Sequence, residues 1–530
     1  MHTLANLFHH QRVKASAIFF ILLLIMLDPV SAQKSSPVLQ YTISFPQPSS
    51  HSYNVQLQCT GWNKDTLFLK MPNWMPGYYQ LMGYSKNVEN MQAHDDKGRN
   101  IPVEKMNENT WYLTPVHNTS FQLNYTIQTN RQFVANSYVD SAHAYIIPEN
   151  TFLYIKDNLD LPVSVSIAKN NEWKNIATGL DPVAGKPNDF TATNFDILYD
   201  CPMLIGNLKE LPSFKIKGIN HRFVGYDMGN FDSIIFMHNL QKIVEAGINI
   251  IGDIPYREYT FIGIGPGRGG IEHLNNTTIS FNGNGLDKPG AMNTVMNFIA
   301  HEFFHNYNVK RIRAFELGPF DYDKGSKTNL LWVNEGLNVY YEYLIVKRAG
   351  VSDLKTLLAD FSNNLNTVEN NPGRHFQSLQ QSSYATWSDG PFGTQGTEKG
   401  KTISYYEKGP IVGLMLDFAI RHATENKKSL DDVMRLLYWK YYKEKQRGFT
   451  DAEFQQTCEE AAGMPLTEIF EYVYTTKEPD YDKYFSYGGL KKEEVKIETT
   501  DKTTIQKFMI KPIENPNALQ KAILKSWIGE

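Results

Sequence analysis

Hydrophobic and polar residues alternate along much of the first 205 residues. Four segments show this alternation most clearly: 41–45, 66–70, 120–125 and 163–167. A period of two is the pattern of a β-strand with one buried face, and turn-forming stretches at 76–77 and 95–98 separate the segments. The pattern predicts an antiparallel β domain over residues 33–205, without a cluster of metal-binding or acid–base residues.

From about residue 206 to residue 475 the hydrophobic residues recur every three or four positions. This spacing, clearest at 292–306, 330–348 and 409–422, predicts amphipathic helices. Residues 476–530 form a short appendage that becomes lysine-rich and contains two strand-like stretches. We therefore predict an α+β protein of several domains, with a β-rich N-terminal domain and a second domain at 206–475 whose second half is mostly helical.

The first 32 residues have the organisation of a secretory signal peptide. Basic residues, among them Arg12 and Lys14, precede an apolar run at 15–27, and Val-Ser-Ala at 30–32 fits a cleavage site after Ala32. The apolar run is 13 residues long, shorter than the roughly 20 that a membrane-spanning helix needs. We expect an exported protein, periplasmic or extracellular, that does not span a membrane.

Composition narrows the classes of protein further. A chain of 530 residues, 42% hydrophobic and 20% charged, is globular and long enough for about three domains. A net charge of −4 argues against nucleic acid as a partner. The three cysteines, Cys59, Cys201 and Cys458, are too few for a disulfide framework or a cysteine zinc site. Any metal would be held by histidine and carboxylate, and the sequence does not determine whether two cysteines pair.

The residues His-Glu-Phe-Phe-His at 301–305 carry the clearest chemical signal. Side chains four residues apart lie on one face of a helix, so His301 and His305 can bind one cation. Catalytic zinc takes three protein ligands and a water molecule whose pKa falls to about 7, and Glu302 is placed to accept the proton. The alternative is a buried amphipathic helix with two hydrogen-bonded histidines. The motif and its apolar context predict zinc, with Glu302 as general base.

A third ligand should come from the helical segment that follows. Glu335 lies among apolar residues in Leu-Trp-Val-Asn-Glu-Gly at 331–336, where an uncompensated charge is unfavourable. A bound cation would neutralise it; a salt bridge or a helix N-terminus are the alternatives. Glu342 is the competing ligand, although it suits an exposed helix face equally well.

Longer stretches resemble a known family of zinc peptidases. The segment HEFFHNYNVKRIR at 301–313 resembles the signature of the glycyl aminopeptidase family, which belongs to the gluzincin metallopeptidases. Pro-Asn-Trp-Met-Pro-Gly-Tyr at 72–78 resembles an N-terminal element of the family, and Tyr-Asp-Cys-Pro at 199–202 resembles its domain junction. The resemblance covers about residues 40–490. It implies a thermolysin-like catalytic domain and one zinc ion per chain.

The resemblance also implies residues that bind substrate. Gly-Gly-Ile-Glu-His at 269–273 is similar to the family's Gly-x-x-Glu strand, which implies that Glu272 binds the α-amino group and that Gly269 and Gly270 let the substrate backbone approach. By itself the segment would suit a turn with an exposed glutamate. Tyr-Tyr-Glu-Lys-Gly at 405–409 resembles the element whose tyrosine stabilises the oxyanion, and Tyr406 matches that tyrosine.

The chain departs from the family at three places. Tyr307 and Ala314 stand where the family typically has tryptophan and proline, and neither is a proposed ligand. The family usually ends in a PDZ-like domain, which needs about 80–100 residues. Because only about 40 residues follow Leu490, we expect that domain to be absent or reduced. Lys310, Arg311 and Arg313 suit structural ion pairs better than substrate binding.

Together these features predict a zinc-dependent aminopeptidase that hydrolyses the N-terminal bond of peptides. The family favours small first residues, glycine and alanine. Two alternatives are a secreted zinc metalloendopeptidase, which needs no amine-binding residue, and a catalytically silent zinc-binding scaffold of the same fold. Neither the natural substrate nor the oligomeric state follows from the sequence.

Overall fold

The computed structural model describes residues 37–114, 120–398, 400–498 and 504–530. The predicted signal peptide, residues 1–32, lies outside the described residues. Within these ranges, no helix combines the length and the apolar character that crossing a membrane requires.

The N-terminal part consists mainly of short strands. They are β1 (Val38–Ser44), β2 (Ser52–Thr60), β3 (Leu67–Lys70), β4 (Val88–Asp95), β5 (Asn100–Ile101), β6 (Val103–Lys105), β7 (Thr110–Leu113), β8 (Phe121–Gln128), β9 (Tyr138–Val139), β10 (His143–Ile146), β11 (Tyr154–Ile155), β12 (Val163–Ala168), β13 (Asn175–Thr178), β14 (Asp181–Val183), β15 (Lys186–Ala192) and β16 (Met203–Gly206), with helix α1 (Phe195–Tyr199) before β16. The alternating segments of the sequence form β1, β3, β8 and β12, and their apolar residues face a common core.

These strands form one large sheet and two smaller ones. The large sheet has the order β14-β15-β12-β1-β2-β8-β4-β5, and the smaller sheets have the orders β13-β16-β10-β9 and β11-β3-β7-β6. One neighbouring pair, β1 and β12, is parallel, with Leu39 opposite Val163. The domain predicted to be antiparallel therefore contains one parallel pair, and the prediction is wrong at this pair. Alternation determines which face of a strand is buried, but it carries no information about strand direction.

A second region begins with a six-stranded sheet. Its elements are β17 (Lys209–Glu210), β18 (Phe214–Ile216), β19 (Ile219–Gly225), helix α2 (Ser233–Ile251), β20 (Glu258–Gly263), β21 (Gly270–Glu272) and β22 (Asn276–Ile279). The main strand order is β17-β19-β20-β22-β21, with β18 paired to β19. Strand β21 is an edge strand that runs antiparallel to β22.

Helices make up most of the rest of the described chain. They are α3 (Ala291–Phe304), α4 (Leu337–Arg348), α5 (Leu354–Asn370), α6 (Leu379–Tyr384), α7 (Thr386–Asp389), α8 (Tyr405–Ala423), α9 (Leu430–Leu436), α10 (Asp451–Ala462), α11 (Thr467–Tyr474), α12 (Tyr481–Tyr487) and α13 (Ala518–Trp527). Two stretches, Trp332–Gly336 and Leu437–Glu444, have π-helical hydrogen bonding. Helix α3 packs against α2, α4 and β21, and α8 packs against α4 and α5.

The C-terminal residues share the core of the helical region. Strands β23 (Leu490–Glu498) and β24 (Thr504–Pro512) form a hairpin that packs against α5 and α12. Trp527 of α13 is fully buried and donates a hydrogen bond to the hydroxyl of Tyr340, at 2.9 Å. The described residues 476–498 and 504–530 are thus built into the helical region rather than attached to its surface.

Candidate metal centre

Helix α3 carries the two histidines at its C-terminal end. It begins after Gly290, whose φ of 80° suits glycine, and its apolar residues Ile299, Ala300 and Phe303 are buried in the core. His301 and Glu302 lie in the last turn, and His305 is the residue that ends the helix. The polar residues of this turn are held among apolar neighbours, where they need compensating partners.

His301, His305 and Glu335 converge at one point. The Nε2 atoms of the two histidines are 3.0 Å apart. Oε2 of Glu335 lies 3.5 Å from Nε2 of His301 and 3.2 Å from Nε2 of His305. Within the described ranges, these three residues form the group whose ligand atoms all lie within 4.8 Å of one another. Two imidazoles and one carboxylate are the donor set of a catalytic zinc site.

Glu335 is placed by the π-helical turn Trp332–Gly336 at the entrance to α4. Single π-turns of this kind concentrate at functional sites. Nδ2 of Asn308 donates to the carbonyl of Val333, at 2.9 Å, and fixes the turn relative to the end of α3. Burial opposes ionisation of Glu335, but His305 and His301 outweigh it and hold the pKa of this carboxyl below its usual value.

The outer atoms of all three residues each lie close to a polar neighbour. Nδ1 of His305 donates to the carbonyl of Asn308 at 2.7 Å, and Oε2 of Glu342 lies 2.7 Å from Nδ1 of His301. The hydroxyl of Tyr79 donates to Oε1 of Glu335 at 2.9 Å. Partners of this type turn the inner nitrogens and oxygen toward a metal. Glu342, the competing ligand in the sequence, therefore contacts the outer face of His301.

Glu302 lies beside this group with a free acceptor atom. Its side chain is buried, and Oε2 has no hydrogen-bond partner among the described residues. Burial raises the pKa of Glu302 to about 8, while the neighbouring imidazoles act in the opposite direction. Gly270 of β21 is packed against it, because a Cβ at residue 270 would lie 2.4 Å from the Glu302 carboxylate.

Tyr406 faces the same centre from the start of α8. The Ser404 hydroxyl accepts a hydrogen bond from the Tyr406 N–H at 3.1 Å and caps the helix. The Tyr406 ring centroid lies 6.2 Å from that of His301. Burial raises the pKa of Tyr406 well above its usual value, and Glu335 adds to the effect. The tyrosine is therefore a neutral hydroxyl donor at neutral pH.

A cavity of about 400 Å³ opens at this centre. His301, Glu302 and Tyr406 line it together with Gly269 and Gly270. Glu272 is not part of its wall: the side chain is 3% exposed, and its Oε1 has no hydrogen-bond partner in the described part of the chain. The Glu272 carboxylate instead contacts Gly77, where a Cβ would lie 2.8 Å from Oε2.

Tyr79 is the main feature of the centre that sequence reasoning missed. It follows the Trp-Met-Pro-Gly-Tyr stretch that resembles the family, but nothing in the local pattern distinguishes it from Tyr78. Of the basic residues after α3, Lys310 forms a buried ion pair with Asp200 at 2.5 Å. Arg311 donates to the carbonyls of Asn306 and Leu274, so it supports the backbone and does not form the predicted ion pair.

This fold and this donor set define a zinc metallopeptidase. Family models then match two parts of the chain: the peptidase M61 N-terminal domain over residues 40–207 and the M61 glycyl aminopeptidase over residues 294–412. The protein belongs to the M61 glycyl aminopeptidase family. The resemblance found in the sequence is confirmed.

Solved structures share the architecture. An aminopeptidase N family protein from Idiomarina loihiensis is 25% identical, with a TM-score of 0.81 over 88% of this chain and 81% of that chain. An M1 zinc metallopeptidase from Deinococcus radiodurans is 12% identical, with a TM-score of 0.52 over 84% and 93%. Aminopeptidase A from Legionella pneumophila is also 12% identical, with a TM-score of 0.52 over 90% and 56%.

These likenesses confirm the predicted fold class, a β-rich N-terminal region joined to a metallopeptidase region that becomes mostly helical. Comparison with curated proteins found no match.

Proposed function

We propose that this zinc aminopeptidase releases the first residue of peptides, that it favours glycine and alanine at that position, and that it binds one zinc ion per chain. The family description, glycyl aminopeptidase, supports the preference for a small residue. The observation that carries the proposed chemistry is Glu302, whose buried carboxylate adjoins the His301, His305 and Glu335 group and keeps one oxygen unpaired within the described residues.

Each residue of the site has a separate role in the proposed hydrolysis of the peptide bond. Zinc held by His301, His305 and Glu335 would supply Lewis acidity, which promotes ionisation of water and polarises the scissile carbonyl. Glu302 accepts the proton of the attacking water and returns it to the departing amine. A nearby cation favours the ionised carboxylate that burial disfavours. Tyr406 donates a hydrogen bond to the oxygen that becomes negative in the transition state.

Strand β21 supports binding of an extended peptide. It is an edge strand, and its first residue, Gly270, lines the cavity together with the preceding Gly269. An edge strand offers unpaired backbone N–H and C=O groups to an added chain, and glycine allows close approach. We propose that the substrate pairs with this edge and that Glu272, at the other end of the strand, holds the α-amino group.

A matched pair of peptides tests the proposal. We expect Gly- and Ala-peptides with a free amine to be cleaved and their N-acetylated forms to be poor substrates, with all turnover lost on chelation and recovered with zinc. Glu302→Gln should retain zinc and lose nearly all turnover, because an amide does not accept the proton. Turnover by Glu302→Gln within tenfold of the wild-type rate would exclude this residue as the base.

The burial of Glu272 favours one competing function, a metalloendopeptidase. An exopeptidase needs a carboxylate that the substrate's α-amino group can reach. The Glu272 carboxylate lies outside the cavity wall, so it is less accessible to the amine than this function requires. Glu272→Gln separates the two functions: an aminopeptidase should lose rate on free-amine peptides and keep its zinc. Equal cleavage of acetylated and free peptides by the wild type would establish the endopeptidase.

We also propose that the protein is exported through residues 1–32. The basic start, the apolar run at 15–27 and the Val-Ser-Ala at 30–32 support this. N-terminal sequencing of protein isolated from the periplasm or the medium should begin at Gln33. An unprocessed N-terminus in the cytosolic fraction would contradict export.

A further inference from the structure

Part of the active-site cavity wall carries more hydrogen-bond acceptors than donors. Asn364 of α5 and Glu407 of α8 both line the cavity, and we call this part of the wall the acidic pocket. Nδ2 of Asn364 donates to Oε2 of Glu407 at 2.8 Å. The second oxygen of Glu407 remains available to a molecule in the cavity.

Asn364 independently indicates that this part of the cavity binds a hydrogen-bond donor. The residue is 6% exposed, and its Oδ1 has no hydrogen-bond partner in the described part of the chain. A buried acceptor left unpaired is costly. Because Nδ2 is already bound to Glu407, the amide orientation is set, and Oδ1 is left to accept a hydrogen bond from a donor in the cavity.

The surroundings of the acidic pocket are also acidic. Glu342 lines the same cavity, and Asp360 lies on α5 one turn before Asn364. Burial raises the pKa of Glu407, and Asn364 is the group that opposes the shift. Glu342 is paired with His301, but no lysine or arginine lines the cavity among the described residues to pair with Glu407.

Much of the remaining cavity wall is apolar. Phe298, Val339 and Phe392 line it together with the ring of Tyr343, whose hydroxyl interacts with the Asn364 side chain. A lysine or arginine side chain matches such a cavity, because its aliphatic stem packs on apolar surface and its charged end needs hydrogen-bond acceptors. An aliphatic or ionised acidic side chain has no donor and would leave the acceptors of Asn364 and Glu407 unsatisfied.

We propose that the acidic pocket binds the cationic end of a lysine or arginine in the peptide substrate, at one of the two residues that flank the scissile bond. The inference rests on the proposed peptidase function and adds a substrate class to it. The preference for a small first residue and this pocket are compatible when the basic residue is the second one.

Peptides that differ in one side chain test the pocket. Lysine is compared with norleucine, which has the same stem without the charge, and with glutamate, at the first and then at the second position. We expect kcat/KM to be about tenfold or more higher for lysine than for norleucine at one of these positions, since hydrogen bonds to charged groups are strong. Glu407→Gln should bring the ratio close to one, whereas Glu245→Gln on the exposed face of α2 should not change it.

A binding measurement keeps the inference testable if no peptide is cleaved. Calorimetry is performed with lysine amide and norleucine amide for the first position, and with glycyl-lysine amide and glycyl-norleucine amide for the second, on zinc-loaded Glu302→Gln and on the double variant with Glu407→Gln. Tighter binding of the lysine compound by about tenfold at one position, lost in the double variant, supports the pocket even if the proposed function fails. Equal ratios for lysine and norleucine in both assays, or a ratio that Glu407→Gln leaves intact, would overturn it.

Discussion

Tyr79 shows how a single side chain from the β-rich region reaches the metal centre. Its hydroxyl donates to Oε1 of Glu335, and this leaves Oε2 as the oxygen that faces His301 and His305. Burial, followed by the charge of Glu335, raises the pKa of Tyr79 well above its usual value, so the hydroxyl keeps its proton. The tyrosine therefore positions a metal ligand as a neutral hydrogen-bond donor.

Removal of that hydroxyl should weaken the metal site. We expect Tyr79→Phe to keep the fold and to lower zinc affinity by about 10–100-fold, as loss of a ligand-orienting partner does. Competition with a chelator of known affinity measures the effect independently of activity. Tyr78→Phe is the matched control, because the Tyr78 hydroxyl donates to Gln80. Equal zinc affinities of the two variants would show that Tyr79 does not orient Glu335.

A second test at the residue scale concerns Tyr406. Tyr406→Phe should lower kcat by about 100-fold and change KM little, because the hydroxyl acts on charge that develops only in the transition state. Zinc content should stay that of the wild type. Steady-state kinetics on an alanyl peptide measures kcat and KM separately. A variant whose KM rises while kcat is retained would instead assign Tyr406 to substrate binding.

At the scale of elements, the contact between β21 and α3 determines where Glu302 lies. Gly270 leaves room for the Glu302 carboxylate, and any larger residue would occupy the same space. We expect Gly270→Ala to retain zinc and to lower turnover by about 100-fold, the effect of displacing a catalytic group by about 1 Å.

The control for Gly270→Ala is thermal stability. The midpoint of unfolding should fall only modestly, since overpacking costs about 1–3 kcal/mol. Wild-type turnover in a zinc-loaded, folded variant would mean that Glu302 can shift without loss and that the close approach of β21 is not needed.

At the scale of the whole molecule, the C-terminal residues belong to the core around the catalytic helices. Trp527 is fully buried, packs on Phe418 and donates to the hydroxyl of Tyr340. Tyr340 in turn donates to Asp417 at 2.7 Å, which links α13 to α4 and α8. This chain of contacts joins the appendage to the helix that follows Glu335.

Loss of Trp527 should therefore destabilise the catalytic region. We expect Trp527→Ala to lower stability by about 3–5 kcal/mol and to shift the midpoint of thermal unfolding, with zinc content and activity retained at low temperature. Lys525→Ala, an exposed position on the same helix, is the control. A midpoint equal to that of the control would show that residues 518–527 are dispensable for the core.

The sequence by itself determined the local features of this protein. A period of two identified β1, β3, β8 and β12, and a period of three to four identified α3, α4 and α8, because the position of apolar residues on one face depends only on the geometry of a single element. The HExxH spacing and the family resemblance rest on contiguous residues in the same way. The family and the metallopeptidase class therefore followed from the sequence.

Only the tertiary structure decided which distant residues meet. Tyr79 and Glu335 are separated by 256 positions and Asn364 and Glu407 by 43, and no local period links the members of either pair. Two further contacts also join residues that are distant in the sequence. They are the parallel pairing of β1 with β12 and the contact of Glu342 with the outer side of His301. Such contacts depend on how whole sheets and helices pack, and many sequences with the same local pattern would pack other residues there.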